Sequence, residues 1–134
     1  MIRKLAMVLA AGAVLWLVKV AQIAANGGEN TTEGLVGATF LLGLACLFFG
    51  STSVGLLLTE GRGVAVKVLA ALASIVAFWV SFSLIDTAMQ ALVGDAGPQW
   101  VHDEMGIVAT AVVWLAISLW VVARTGALLE PEPA

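Results

Sequence analysis

The chain has 134 residues, 61% of them hydrophobic and 11% charged, with a net charge of −3 and a mean hydropathy of +1.06. A soluble domain carries about 25% charged residues, so this composition excludes one of ordinary type. The acidic balance argues against a nucleic-acid partner, whose footprint is a basic patch or stripe.

The first apolar run covers residues 5–25. Arg3 and Lys4 precede it, as in a signal peptide, but Lys19 and Gln22 follow without a small-residue cleavage site, so it is read as a helix. The second run, 34–58, is rich in glycine: Gly34, Gly37, Gly43, Gly50 and Gly55, with Ser51 four residues before Gly55. The third, 64–93, carries Ala73, Ala77 and Ser81 at four-residue steps, which is one face of a helix. The fourth, 100–123, follows Gly97-Pro98, and a polar tail occupies 124–134.

Each run is long enough for the about 20 residues of a membrane span. None alternates apolar with polar residues, so helices are expected and barrel strands are not. The predicted fold is an all-α integral membrane protein: one domain, a bundle of four transmembrane helices. Small residues let helices approach closely in lipid, so the two candidate packing seams are Gly50/Ser51/Gly55 and Ala73/Ala77/Ser81. No proline interrupts a span, which favours a static scaffold over the broken helices of transporters.

Lys and Arg sort to one side. Arg3, Lys4, Arg62, Lys67 and Arg124 flank the ends and the second connector, while the connectors 26–33 and 94–104 contain neither residue type. The positive-inside rule places both termini in the cytoplasm. Asn30 with Glu33 predicts a cap for the second span, Pro98 a first helical position, and Arg124 with Gly126 a helix end.

Two ionisable side chains lie well inside the runs, Lys19 and Asp86. With the first and third helices running the same way, each sits about 10 Å below the outer end at 1.5 Å per residue. Gln22 shares a face with Lys19, and Gln90 and Ser83 share one with Asp86. A charge alone at the centre of a helix costs about 2.5–3.5 kcal/mol to insert. Four arrangements are open: a Lys19–Asp86 pair that fixes register, a contact of either residue with another subunit, an ion-coupling site at Asp86, or snorkelling to the headgroups. Trp16, Trp79 and Trp114 fall near the middle of their spans and are expected to pack against neighbouring helices or acyl chains, or else to line a lipid, quinone or pigment site.

Chemistry-bearing motifs are few. His102 is the sole histidine, beside Asp103 and Glu104, and three consecutive helical residues diverge by about 100° each. Cys46 has no intrachain partner and is expected to fill space. Phosphate loops, dinucleotide fingerprints and nucleophile elbows are absent. No catalytic residue, metal or cofactor is expected. The expected partners are the bilayer and other membrane subunits. The expected role is a non-catalytic accessory subunit of a larger complex in a prokaryotic plasma membrane, respiratory or energy-converting assemblies first. The alternative is a small homo-oligomeric transporter or channel built on Lys19 and Asp86.

Overall fold

The computed structural model describes residues 1–27, 34–94 and 97–129, with side chains to residue 126. The chain forms five helical segments: α1 (Ile2–Ala25), α2 (Leu35–Gly50), α3 (Thr52–Leu58), α4 (Val64–Val93) and α5 (Gln99–Leu129). Segments α2 and α3 together make one span, so four helices are long and apolar enough to cross a membrane. Apart from the end of α5, their bounds agree with the apolar runs to within a few residues, because polar, charged or Gly-Pro segments follow each run.

Two ends differ from expectation. Helix α5 continues past Arg124 and Gly126 to Leu129. Glycine inside a helix costs only about 1 kcal/mol relative to alanine, and Ala127, Leu128 and Leu129 resume good helix formers. Pro98 lies just before α5, whose first residue is Gln99. The Asn30/Glu33 cap lies outside the described residues.

The second span is interrupted at Ser51 without a proline. Ser51, Thr52 and Ser53 each donate a hydroxyl hydrogen bond to the carbonyl three residues back, on Phe48, Phe49 and Gly50, at 2.6–2.7 Å. The backbone at Ser51 stays helical (φ −60°, ψ −25°), and the same back-bonds occur at Ser81, Ser118 and Thr125 inside the uninterrupted α4 and α5, so the interruption is local to the hydrogen-bond ladder. The break changes the partner. Before it, α2 packs mainly on α1; after it, α3 packs mainly on α4.

Glycine makes both contacts close. A Cβ on Gly50 would stand 2.5 Å from Leu9 Cα, and one on Gly55 would overlap the Ala70 carbonyl and come 2.6 Å from Ser74 Oγ. The Gly50/Ser51/Gly55 region is therefore an internal seam. The Ala73/Ala77/Ser81 face is internal only at Ser81, which meets Trp114 of α5: Ala73 and Ala77 are exposed, while buried Ser74 and Phe78 face the bundle. Because α4 is apolar on all sides, its sequence does not mark which side is covered.

The core lies where α1, α2, α4 and α5 meet, around Leu9, Ala13, Trp16, Leu47, Phe78, Ala111 and Trp114. Trp16 stacks on Phe40 at 5.7 Å between centroids, and Phe78 bridges Trp16 (6.1 Å) to Trp114 (5.4 Å). Trp16 and Trp114 are thus packing residues. Trp79 is 39% exposed on the outer side of α4.

Candidate functional site

Lys19 is 6% exposed and Glu104 2% exposed, in helices α1 and α5. Lys19 Nζ donates to Glu104 Oε2 at 3.0 Å and Oε1 at 3.2 Å. The same ammonium lies 4.7 Å from the centroid of the Phe40 ring, where the ring quadrupole attracts a cation. Two carboxylate oxygens and an aromatic face thus surround it. A buried lysine needs such partners.

The partner is Glu104 and not Asp86. Asp86 accepts a hydrogen bond from Gln90 Nε2 at 3.0 Å, one turn along α4. It packs on α5 at Gly106, where any Cβ would overlap its carboxylate. Glu104 and Gly106 are two residues apart, so they point about 200° apart around α5. Lys19 and Asp86 therefore use opposite sides of that helix. Their common depth, inferred from spacing, did not determine that they would meet. Gln22 Oε1 is buried without a hydrogen-bond partner among the described residues, as is Thr110 Oγ1. Ser83 is exposed, and its carbonyl accepts from Thr87 Oγ1.

Sequence reasoning placed Glu104 in the outer connector. Helix α5 begins at Gln99, which puts Glu104 about 8 Å inside that end. A signal was present: Trp100, Glu104, Ile107, Ala111, Trp114 and Ser118 recur at three- and four-residue steps, so Glu104 belongs to a buried helical stripe.

Other polar contacts fix neighbouring helices. Trp114 Nε1 donates to Ser81 Oγ at 3.0 Å, tying α5 to α4. Trp114→Phe keeps the ring and loses this bond. It is expected to lower stability by about 0.5–1.5 kcal/mol, read from thermal unfolding in detergent. His102 Nδ1 lies 2.9 Å from the Gly94 carbonyl oxygen, to which it donates, closing the turn between α4 and α5. Asp103 accepts from Gln99 Nε2 at 3.1 Å. His102, Asp103 and Glu104 thus engage three different partners. Among the described residues no group of three or more metal-ligating side chains converges.

The arrangement ties α1 and α4 to α5 through buried and half-buried polar groups. Its ion pair is closed within the chain, and its second carboxylate rests on an amide and a glycine surface. Comparison of the chain with protein-family models, with curated proteins and with solved structures finds no match.

Proposed function

We propose that the chain is a non-catalytic accessory subunit of a larger membrane complex, with both termini in the cytoplasm and α4 as its lateral packing helix. One observation carries the reading. In the most apolar stretch of α4 only 11% of residues are buried within the chain, against 44% in α1, 33% in the second span and 39% in α5. Helix α4 therefore has the most side left to offer, and that side includes the small residues Ala73 and Ala77 and the half-exposed Trp79. Small residues and tryptophan both suit helix–helix contact.

The interior supports a scaffold over a transport path. The transport alternative draws Lys19 and Asp86 into one site. Lys19 is instead held by Glu104 on the other side of α5. Gentle solubilisation followed by native mass measurement is expected to show this chain with at least one different polypeptide at fixed stoichiometry. A stable homo-oligomer carrying no foreign subunit sinks the reading.

A further inference from the structure

The charges near the α4–α5 end do not balance. Lys19 is taken by Glu104, which leaves the Asp86 carboxylate with an amide, Gln90, and no counter-cation among the described residues. No other Lys or Arg of this chain is near, and His102, one turn from Gly106 on α5, is engaged with the Gly94 carbonyl. Lys67 is 19 residues away along α4, about 28 Å, and Arg124 is 18 residues along α5 from Gly106, about 27 Å. Arg3, Lys4 and Arg62 lie at that same far end.

Asp86 is also accessible. It is half-buried on the flank of α4, between the covered side and the exposed residues Ser83 and Thr87. Leu72, Val76, Trp79, Ser83, Asp86 and Gln90 follow one another at alternating four- and three-residue steps. That is the spacing of a seam on which a second helix packs at a shallow angle. Leu72 is 56% and Val76 62% exposed, so the seam is open along the outward side.

We propose that this seam receives a transmembrane helix of a different polypeptide, one whose Lys or Arg pairs with Asp86. The inference rests on the accessory-subunit reading and names the chemistry of the partner. A second copy of this chain does not supply the cation. Its only Lys or Arg near that depth is Lys19, which is buried and paired with Glu104, and its His102 ring is held at the Gly94 carbonyl. Charge complementarity thus selects a foreign helix. The apolar and aromatic positions Leu72, Val76 and Trp79 provide its packing surface.

The test uses the full chain in its native membrane, with a photoreactive phenylalanine analogue in place of Ser83. The same analogue in place of Val14, exposed on α1, is the control. The Ser83 position is expected to cross-link to one apolar segment of another polypeptide, and that segment contains a Lys or Arg. Asp86→Asn lowers the yield by about tenfold or more, and Asp86→Glu restores it. Asp86→Lys combined with an acid in place of the partner's base also restores it. Circular dichroism of each variant separates lost contact from lost fold. Unchanged cross-linking in Asp86→Asn overturns the inference, as does a segment without a base, or cross-linking only to lipid or to a second copy. The two claims fail separately. A foreign subunit that stays bound in Asp86→Asn removes only the role of Asp86. A chain that carries no foreign subunit removes the accessory reading itself.

Discussion

Glu104→Gln is expected to destabilise the bundle by about 3–5 kcal/mol, because it leaves the Lys19 ammonium buried without its counter-charge. Lys19→Met leaves the Glu104 carboxylate buried without the lysine's charge and is expected to cost a similar amount. The double variant Lys19→Met/Glu104→Leu removes both charges and fills their volume with apolar groups. It is expected to recover most of the loss, since a buried pair is often replaceable as a unit. Unfolding in mixed micelles with increasing denaturing detergent measures all three. Strict additivity of the single effects means that the two residues are not coupled. Lys19→Met/Asp86→Leu is the control, and here additivity is expected, because Lys19 and Asp86 lie against opposite sides of α5.

Gly50→Val is expected to open the α1–α2 contact. Its new carbons fall on the backbone of Leu9, where even a Cβ stands 2.5 Å from Cα. Backbone cannot rotate away as the tip of a side chain can, so the helices must separate. Two effects oppose each other. Valine has the better helix propensity, by a few tenths of a kcal/mol, while overpacking costs about 1–3 kcal/mol. The second wins, and the same detergent titration reads it. Gly126→Ala gives the contrast: nothing lies within 4 Å of its added carbon, and only the propensity gain of about 1 kcal/mol remains. A loss of stability in Gly126→Ala equal to that in Gly50→Val refutes the close-approach explanation.

How much of this was legible depends on what lipid hides. The four spans were readable because water rejects long apolar runs, and the glycine seam because few other roles suit Gly50 and Gly55 inside a helix. Which side of α4 faces inward was not readable. Lipid tails and protein interior are alike apolar, so Ala73 and Ala77 carry the same pattern whether covered or exposed. Depth along the helix was readable for Lys19 and Asp86, and rotation about it was not. Two acids, Glu104 and Asp86, match Lys19 in depth. Choosing between them needs the facing of α5, which tertiary packing sets. The run Ser51-Thr52-Ser53 is visible in the sequence but does not by itself mark an interruption, since Ser81, Ser118 and Thr125 back-bond inside unbroken helices.

The exchange of partners at Ser51 bears on the order in which the bundle assembles. As the chain emerges from the ribosome, α1 and α2 can close on one another at once, since Gly50 already meets Leu9 and Gly43 meets Trp16. The short segment α3 touches α1 only lightly and packs mainly on α4. Its glycine waits for Ala70 and Ser74, which are translated about one to four seconds later at synthesis rates of 5–20 residues per second. One span thus belongs to two successive folding events, an N-terminal hairpin and a later pair, joined by three hydroxyl groups.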